Sequence, residues 1–572
     1  MVNYVAQIVI VVAIFVLLAT SLNLVFGYGG VFSVAHAAFF GIGAYASGQA
    51  SLLLGLPFPL DLLASFAVAA LLAALIAPPI ARLNDEYVIV GTLALQLVLS
   101  SVFLNWQPVT GGSYGLFGIP RPTIGTQTVT SLVDYALLSV VVAGVCFACL
   151  LWLVRSPLGL SLKGLREDPA LAQSFGKNVN RQRTLAFAIG AGVAGIAGAV
   201  YARYVGYIDP STFGIAQSLS IITVLVVGGI GNLWGTLVSA AILETIPQVL
   251  RFIPATSNAV AHLQLLFYGL LLVVLVRARP QGLISERPLI RSRRSRSGAS
   301  ATPDGVVDQL LQGEVVAEPL EVQQLSIAFG GLKAVDNLSF TIPPGQVTAL
   351  IGPNGAGKST VFNLLTGYLR PDAGQARYRG VDLTRLAPFE VARLGIARSF
   401  QDVRVFSRMT VLENVVLVMQ SHESEAVLGW LRRRRNARGR AELRDDALAL
   451  LAGFGLADRV DERVANLSYA QQKLLVVVML LSARQPFILL DELAAGLDHD
   501  SIVQFAQLVR KMLGSGKSIC LIEHNLDFVW QTADRVLVLD QGRLIAEGTP
   551  DEIQRDERVA EIYFGQTRFA NA

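Results

Sequence analysis

The stretch Gly352-Pro353-Asn354-Gly355-Ala356-Gly357-Lys358-Ser359-Thr360 decides the fold of the second half of this chain of 572 residues. It fits the phosphate-loop pattern G-x-x-x-x-G-K-[ST]. The apolar run 347–351 before it predicts a buried strand, and the run 361–365 after it continues at helical spacing. A glycine-rich turn between a strand and a helix N-terminus presents backbone N–H groups to an anion, and the helix dipole favours negative charge there. The sequence therefore predicts a nucleotide site.

A second stretch, Phe487-Ile488-Leu489-Leu490-Asp491-Glu492, is an apolar strand that ends in two carboxylates. On its own this pattern would be weak evidence, because strands often end in acidic turns. It becomes informative because a phosphate loop lies upstream of it. We expect Lys358 to reach the β- and γ-phosphates of ATP, and Ser359 and Asp491 to ligate Mg²⁺. Glu492 is expected to polarise the attacking water.

The composition places a large part of the chain in lipid. Hydrophobic residues make up 53% of the sequence and charged residues 15%, whereas soluble proteins carry about 25% charged residues. The length predicts several domains. The apolar composition predicts membrane lipid as a partner, and the formal net charge of +4, which is small for this length, predicts no nucleic-acid partner.

Long apolar runs fill the first half, and many are long enough to cross a bilayer core of about 30 Å. The candidate spans are 5–27, 31–54, 59–81, 86–104, 131–154, 183–205, 216–250 and 258–276. The seventh is long enough to be two segments broken at the glycines of 228–231, so we expect eight or nine spans. The first run is interpreted as a retained membrane helix, because it lacks a basic start and a small-residue cleavage site.

Basic residues predict the orientation of these spans. They concentrate in one loop and after the last span: Arg155, Lys163, Arg166, Lys177, Arg181 and Arg183 in the loop, then Arg277, Arg279 and Arg287. Both places should be cytoplasmic by the positive-inside bias. The phosphate loop lies downstream of the second place, which agrees with ATP being on that side.

Few polar groups stand out within the apolar half. Arg203 and Glu244 lie near span ends, where a functional site and an interfacial, snorkelling position are both open interpretations. His36 lies in a run of alanines and is expected to be a hydrogen-bonded core residue. A stripe of small residues at i,i+4 spacing predicts close helix packing: Ala191, Gly195 and Ala199.

The composition changes again downstream of the spans. In residues 286–318 arginine alternates with serine and is followed by Gly, Ala, Pro and acidic residues, which predicts a flexible linker whose basic half lies on anionic lipid or is simply solvated. From 319 onward, strand-like and helix-like segments alternate. We therefore expect an N-terminal all-α polytopic membrane domain (1–285), a linker (286–318) and a C-terminal α/β P-loop ATPase domain (319–572).

The stretch Leu467-Ser468-Tyr469-Ala470-Gln471-Gln472 resembles the signature of the ABC transporter ATPases, and other elements follow in that family's order. The resemblance implies that Phe329 stacks on adenine, that Gln401 touches Mg²⁺ and senses the membrane domain, and that His524 contacts the γ-phosphate. The implied catalytic residues are Lys358, Glu492 and His524, and the implied metal ligands are Ser359, Gln401 and Asp491. The implied nucleotide-binding residues are Phe329, Gly352, Pro353, Asn354, Gly355, Ala356, Gly357, Lys358, Ser359, Thr360, Gln401, Ser468, Ala470, Gln471 and the D-loop aspartate Asp498.

Two positions depart from that family's pattern. Ala470 replaces the second glycine of the signature, and Leu493 replaces the proline that usually follows the catalytic glutamate. In this family two ATPase domains meet head to tail, and each signature serine closes on the partner's ATP. The chain carries one phosphate loop and one signature, so a second ATPase domain is expected from a second copy or from a separate subunit.

The membrane half resembles the permease of branched-chain amino acid importers. The similarity lies in SLNLVFGYGG (21–30), HAAFFGIGAY (36–45), TGGSYGL (110–116) and the block 228–235. The resemblance implies a multi-pass protein of the bacterial inner membrane with a cytoplasmic ATPase domain. It also implies a second permease and a second ATPase subunit, or a homodimer, and an extracytoplasmic substrate-binding protein.

The loop 164–176 is similar to that family's coupling segment. Asp168-Pro169 within it predicts a helix start, with a negative charge favoured at the helix N-terminus. A short helix docked on the ATPase near Gln401 would pass closure to the spans. The alternative is an ordinary loop between helices.

Together these features predict ATP-driven import of branched-chain or related small amino acids, with permease and ATPase in one chain. Amides or urea-like solutes are alternative substrates. An exporter half-transporter is a further alternative, but exporters of that kind use six long helices with long cytoplasmic extensions, and the predicted spans are short, glycine-rich and more numerous. A nucleotide-gated membrane protein is the alternative from a different class.

Overall fold

The structure is a computed structural model that describes residues 2–81, 83, 85–124, 127–250, 266, 269–270, 273–274, 277–279, 281–292, 318–420, 433–495, 499–514 and 516–564. The chain forms two compact units. The first unit comprises Met1–Arg166 and Val179–Leu289, and the second comprises Glu167–Asn178 and Ile290–Ala572. Most of the predicted linker, residues 293–317, lies outside the described residues.

The first unit is helical, as the long apolar runs predict. Its helices, with α8 of the second unit included in chain order, are α1 (Val2–Leu22), continued by a π-helical turn at Asn23–Tyr28, α2 (His36–Leu54), α3 (Phe58–Ala81), α4 (Asp85–Asn105), α5 (Gln107–Thr110), α6 (Leu132–Val154), α7 (Pro157–Glu167), α8 (Pro169–Ser174), α9 (Val179–Val205), α10 (Ile215–Gly228) and α11 (Leu233–Leu250). Short antiparallel pairs in the loops, β1 (Leu116–Phe117) with β4 (Tyr207–Ile208) and β2 (Thr123–Ile124) with β3 (Gln127–Thr128), add a little strand to the expected all-α unit.

Six helices of the described part are long and apolar enough to cross a membrane: α1 with its π-helical turn, α2, α3, α4, α6 and α9. This count is lower than the eight or nine spans predicted. The seventh candidate, 216–250, is divided into the shorter helices α10 and α11 at the predicted glycine break, where Gly229 and Gly231 leave the helical region with φ of 115° and 78°. Most of the eighth candidate, 258–276, lies outside the described residues.

Small residues let α2 and α9 pack with their backbones in contact. A Cβ atom on Gly43 would lie 2.2 Å from the Cα atom of Gly195, and one on Gly198 would lie 2.2 Å from the carbonyl oxygen of Phe40. Such separations are shorter than any van der Waals contact, so these positions exclude a side chain. The close packing predicted from the stripe around Gly195 is confirmed.

The second unit is the α/β domain that the alternating segments predict. Its strands are β5 (Leu320–Phe329), β6 (Leu332–Ile342), β7 (Val347–Ile351), β8 (Ala373–Tyr378), β9 (Val381–Asp382), β10 (Ile396–Arg398), β11 (Phe487–Asp491), β12 (Ser518–Ile522), β13 (Arg535–Asp540) and β14 (Arg543–Gly548). They form a sheet in the order β10-β11-β12-β7-β13-β14 and an antiparallel sheet in the order β6-β5-β8-β9. The helices of this unit after α8 are Lys358–Leu365, Pro388–Leu394, Val411–Met419, Arg433–Gly453, Tyr469–Ser482, His499–Gly514, Leu526–Thr532, Pro550–Arg555 and Glu557–Phe564.

The register of the parallel strands positions the site. Asp491 at the end of β11 pairs with Ile522 at the end of β12, and Ile522 pairs with Leu350 near the end of β7. The carboxyl ends of β7, β11 and β12 therefore meet at one edge of the sheet, which is where open α/β sheets bind ligands.

Candidate active site

The phosphate loop connects β7 with the helix Lys358–Leu365. All five residues of β7 are buried, so the strand anchors the start of the loop in the core. Gly357 precedes the helix with a φ of 98°, and a Cβ atom there would lie 2.3 Å from the carbonyl oxygen of Ala334. This position requires glycine on both counts. The predicted order of strand, glycine turn and helix is confirmed.

The side chain of Lys358 folds back over this loop. Its Nζ donates to the carbonyl oxygens of Gly352 at 2.8 Å and Pro353 at 3.0 Å. Burial lowers the pKa of Lys358, and the nearby carboxylates of Glu492 and Asp491 act against that shift. The ammonium is thus held at the loop by two carbonyl groups that phosphate oxygens can replace.

A cavity of about 850 Å³ opens above the phosphate loop, within the range of about 300–1,000 Å³ typical of small-ligand sites. It brings together residues that are far apart in the sequence. The sequence-predicted residues that line it are Asn354, Gly355, Ala356, Gly357, Lys358, Ser359, Thr360, Gln401, Glu492 and His524.

Two of these residues contact the carboxylate of Glu492, one at each oxygen. Its Oε1 lies 2.9 Å from Nε2 of His524, and its Oε2 accepts a hydrogen bond of 3.1 Å from Nε2 of Gln401. Its backbone has a φ of 49°, in the left-handed region that residues other than glycine rarely adopt. Strain of this kind persists where the surroundings hold it and is typical of active sites. The carboxylate is therefore held in one orientation at the cavity.

Asp491 lies beneath the cavity and is almost fully buried. Its backbone N–H donates to Oγ of Ser399 at 2.7 Å, and its Oδ2 lies 3.3 Å from Nη2 of Arg398. Its Oδ1 is buried and has no hydrogen-bond partner among the described residues. Burial raises the pKa of this carboxyl, whereas Arg398 lowers it. An open oxygen at this place fits the metal-ligating role that the sequence predicts.

Three other sequence-predicted residues, Phe329, Ser468 and Ala470, are absent from the described lining of this cavity. Phe329 ends β5 and is half exposed, and Leu332, its partner in the strand pair, lines the cavity instead. Ser468 begins the helix Tyr469–Ser482 as its N-cap and forms a capping box with Gln471. Ala470 is exposed in the first turn of that helix. Asp498 lies outside the described residues.

Sequence reasoning missed two residues that hold the turn after Glu492. Lys473 donates from Nζ to the carbonyl oxygens of Leu493, at 2.8 Å, and Ala495. The buried Glu523 accepts from the backbone N–H of Ala494 at 2.8 Å, and burial raises the pKa of Glu523 to about 7. No motif marks Lys473, and Glu523 is concealed beside the more conspicuous His524.

Sequence reasoning also missed the charged rim of the cavity. Asp336 lies 2.9 Å from Nζ of Lys333 through Oδ1 and 2.6 Å from Nη2 of Arg543 through Oδ2. All three residues line the cavity. Across the whole lining three cationic side chains are balanced by three carboxylates, so Asp336 positions two of the cations without giving the cavity a net charge.

Residues 167–178, between α7 and α9, belong to the second unit and pack on it through α8. The helix begins at Pro169 as predicted, and Asp168 caps it by accepting from the N–H of Leu171 at 2.9 Å. Polar contacts of the segment include Arg408 N–H to Glu167 Oε2 (2.9 Å), Arg404 Nη1 to Asp168 Oδ2 (3.3 Å), Tyr368 Oη to Ala170 O (2.8 Å), Arg393 Nε to Gly176 O (2.9 Å) and Lys177 Nζ to Gln420 O (3.1 Å). Several of these partners flank Gln401, so the predicted docking near Gln401 is confirmed.

Some polar residues of the first unit are paired inside the protein, among them Arg203, Asp61 and His36. Arg203 is 3% exposed and pairs with Asp61 at 2.9 Å, so the snorkelling interpretation of Arg203 is wrong. Asp61 also accepts from Oγ of Ser47 at 2.6 Å. His36 is buried with Nε2 2.8 Å from Oγ of Ser21, which confirms a hydrogen-bonded core residue. Asp61 was missed because a lone carboxylate in an apolar run carries no pattern.

A phosphate-loop ATPase unit that takes in a segment of a helical membrane domain has the organisation of an ATP-driven transporter. Comparisons with known proteins agree with this class. Residues 4–276 match the family described as branched-chain amino acid transport system / permease component. Residues 335–495 match the ABC transporter family, and residues 543–567 match the branched-chain amino acid ATP-binding cassette transporter family.

Curated relatives match the second half of the chain. The high-affinity branched-chain amino acid transport ATP-binding protein LivG of Escherichia coli (strain K12) is 36% identical over 250 residues, which cover 43% of this chain and 98% of LivG. The corresponding protein BraF of Pseudomonas aeruginosa is 34% identical over 249 residues, 43% of this chain and 98% of BraF. A solved nucleotide-free ATP-binding cassette from an ABC transporter is 31% identical and covers 44% of this chain and 100% of its own, with a TM-score of 0.38.

The chain belongs to the family of branched-chain amino acid ABC transporters and carries the permease component and the ATP-binding component on one polypeptide. It is a membrane protein with an ABC-type ATPase domain that binds nucleotide. Components of such transporters usually form complexes with other subunits.

Proposed function

We propose that this chain imports branched-chain amino acids across the bacterial inner membrane, using ATP that it hydrolyses at its cytoplasmic phosphate loop. The observation that carries the proposal is the packing of residues 167–178 on the ATPase unit. These residues continue directly into α7 and α9, so movement of the ATPase unit is passed along the chain to the membrane helices. Glu286 ties α7 to the end of the first unit through Arg166 at 2.7 Å and Lys163 at 3.1 Å.

The cavity residues supply what phosphoryl transfer requires, which is charge neutralisation and an aligned water molecule. We assign Lys358 to the β- and γ-phosphates, because its ammonium is held by exchangeable carbonyl contacts. Glu492 is assigned to the attacking water, since His524 and Gln401 fix its carboxylate at the cavity. His524 is assigned to the γ-phosphate.

The residues proposed to hold Mg²⁺ are Ser359, Gln401 and Asp491. Their donors are a hydroxyl, an amide and a carboxylate oxygen, which are ligands that a hard cation prefers. The buried and unpaired Oδ1 of Asp491 and the amide oxygen of Gln401, whose nitrogen serves Glu492, both have acceptor capacity left. When bound, the ion neutralises charge that develops on the β- and γ-phosphate oxygens.

We propose that a second ATPase domain completes the site. Ser468, Ala470 and Gln471 are placed at the start of a helix and are absent from the lining of the cavity in the described part of this chain. We assign them to ATP held by the partner ATPase domain. Phe329 is assigned to the adenine ring and Asp498 to the contact between the two domains. A second permease and an extracytoplasmic substrate-binding protein complete the proposed importer.

Uptake by the complex purified from its native membrane and placed in liposomes tests this function. Lys358→Ala should abolish ATP-dependent accumulation of labelled leucine, isoleucine or valine. The exposed Lys511→Ala is the matched control and should leave accumulation unchanged. Competition with amides and urea separates the alternative substrates, and ATP-dependent loss of preloaded solute would identify an exporter. Accumulation that persists in Lys358→Ala would refute the proposal.

A further inference from the structure

Arg398 is a buried residue that touches the nucleotide side of the ATPase unit. It ends β10 and is 5% exposed. Besides the contact with Asp491 at 3.3 Å, its Nη1 donates to Oδ1 of Asn363 at 2.6 Å and to Oγ1 of Thr366 at 3.0 Å. Asn363 lies in the helix that starts at the phosphate loop, and Thr366 caps the end of that helix. The guanidinium thus ties the proposed metal-ligating carboxylate to the phosphate-loop helix.

Aromatic rings also lie close to the same guanidinium. Its Cζ atom is 5.2 Å from the ring centre of Phe400 and 5.7 Å from that of Tyr368. The hydroxyl of Tyr368 donates to the carbonyl oxygen of Ala170 at 2.8 Å. Arg404 lies over Phe400 at 4.6 Å and pairs with Asp168. Tyr368 and Phe400 therefore belong to the contact with residues 167–178, whereas a third ring, that of Phe362 in the phosphate-loop helix, lies 5.9 Å from the same Cζ atom.

Burying the charge of Arg398 among these groups carries a large desolvation cost. Desolvation of a buried ion pair often costs more than the attraction returns, and apolar residues of similar size commonly give equal or greater stability. The contact with residues 167–178 does not require a charge beside Asp491. Arg393 contacts the same segment, at the carbonyl oxygen of Gly176, without a contact to Asp491. The position of Arg398 between Asp491 and the two rings is what distinguishes it from Arg393.

We propose that Arg398 is a positioning residue that links Asp491 to the hold of Tyr368 and Phe400 on residues 167–178. The inference rests on the proposed function and names the residue through which the nucleotide site acts on the segment. Asp491 can share its charge between Arg398 and a cation at the phosphate loop, so its attraction for the guanidinium depends on what the loop holds. A weaker attraction lets Arg398 and the rings packed on it adopt a second arrangement, which moves the segment.

Hydrogen exchange of the backbone amides of residues 167–178 tests this link in the full-length protein with its partner subunits. In the wild type, adding ATP and Mg²⁺ should change exchange in this segment. In Arg398→Met that change should disappear. The control Arg393→Met loses a contact with the same segment and should raise exchange in both states while keeping the difference. The proposal is overturned if Arg398→Met keeps the wild-type difference, or if the wild type shows none.

A double-mutant cycle on the amount of solute accumulated per ATP hydrolysed is the second test. Arg398→Met should lower this ratio by about 10-fold, a usual size for coupling between sites. Tyr368→Phe removes the hydroxyl bonded to Ala170 and keeps the ring. It should lower the ratio in the wild type and have no further effect in Arg398→Met, whereas Arg393→Met should lower the ratio equally in both backgrounds. Independent effects of Arg398→Met and Tyr368→Phe would overturn the link.

The same variants also distinguish a loss of folding from a loss of function. ATP binding and thermal melting show whether Arg398→Met is folded. If it is not, Arg398→Lys, which keeps the charge but not the planar fork, takes its place and should give an intermediate ratio. A wild-type complex that hydrolyses ATP without accumulating solute would refute the proposed function, and the exchange experiment would still decide the role of Arg398. Accumulation by the wild type with an unchanged ratio in Arg398→Met and Arg398→Lys would refute the role of Arg398 alone.

Discussion

Among the described residues, a buried aspartate–arginine pair lies in the helical unit and another lies in the ATPase unit. Asp61 and Arg203 are 2.9 Å apart in the helical unit, and Asp491 and Arg398 are 3.3 Å apart in the ATPase unit. The Nη1 and Nη2 atoms of Arg203 donate to backbone carbonyl oxygens in loops, those of Pro120 at 3.1 Å and Leu56 at 3.2 Å. Arg398 donates to side chains beside a ligand cavity. The first pair holds two loops through backbone contacts. The second pair lies between the proposed cation site and the aromatic rings that contact residues 167–178, and we propose that both of these can change with the bound nucleotide.

These two pairs show that burial of a charge pair does not by itself indicate function. A charged residue in a membrane helix is costly unless it is paired, and Asp61 and Arg203 meet that requirement with each other. The neighbours of the second pair are what give it a role. They include an acceptor that fits a cation and aromatic rings that hold residues 167–178.

We expect the strongest loss of activity from a substitution of Glu492, the carboxylate that follows Asp491 of the second pair. Glu492→Gln removes the negative charge that orients water, and we expect ATP turnover to fall by about 10²- to 10⁴-fold. ATP binding should persist, and solute accumulation should stop. A nucleotide-gated protein driven by binding alone would keep its activity in this variant, which separates the two functions. Steady-state hydrolysis and uptake measure the effect, with the exposed Glu321→Gln as the control.

The next effect tests the membrane pair. Asp61→Asn leaves Arg203 buried without a counter-charge, and we expect a loss of about 3–5 kcal/mol in the free energy of unfolding of the helical unit. The double variant Asp61→Leu with Arg203→Met removes both charges and should recover most of that loss. Denaturant unfolding of the full-length protein in detergent compares the three proteins. A double variant as unstable as Asp61→Asn would show that the two charges do not compensate each other.

A buried carboxyl gives a pH dependence to the ATPase unit. Burial raises the pKa of Glu523 from 4.5 to about 7, so the folded state keeps a proton that the unfolded state releases. Its stabilising contribution is therefore present below pH 4.5 and lost as the pH rises to 7, by about 3 kcal/mol in all. Glu523→Gln should flatten this fall between pH 5 and pH 8. Urea unfolding followed by loss of ATP binding measures the slopes, and an unchanged slope would contradict the assignment.

The smallest effect concerns helix packing. Gly43→Ala places a methyl group against the backbone of Gly195, and we expect a loss of about 1–3 kcal/mol. Gly144→Ala in α6 is the matched control, because a Cβ atom there meets nothing within 4 Å, and it should be neutral or slightly stabilising. Melting temperatures in detergent compare the two variants. Equal losses would indicate helix propensity or lipid contact as the cause.

Much of the nucleotide site could be predicted from the sequence because its parts are local. The phosphate loop needs a strand, glycines and a helix start within a few residues, and Asp491 and Glu492 follow directly from a buried strand. The cavity then gathers Gln401, Glu492 and His524, which the family resemblance had already placed in order. The structure describes fewer spans than predicted because the seventh run divides into helices too short to be counted as spans and most of the eighth lies outside the described residues.

Local sequence patterns were enough to predict the phosphate loop, the break near Gly228, the start of α8 and the apolar character of the first half, since each follows from backbone geometry or periodicity over a few turns. Which charges meet could be seen only in the folded chain. Arg203 is 142 residues from Asp61, and Arg398 is 93 residues from Asp491. A charged side chain carries no label for its partner at that separation, because only the packing of strands and helices brings the two together and removes the water that would otherwise serve both.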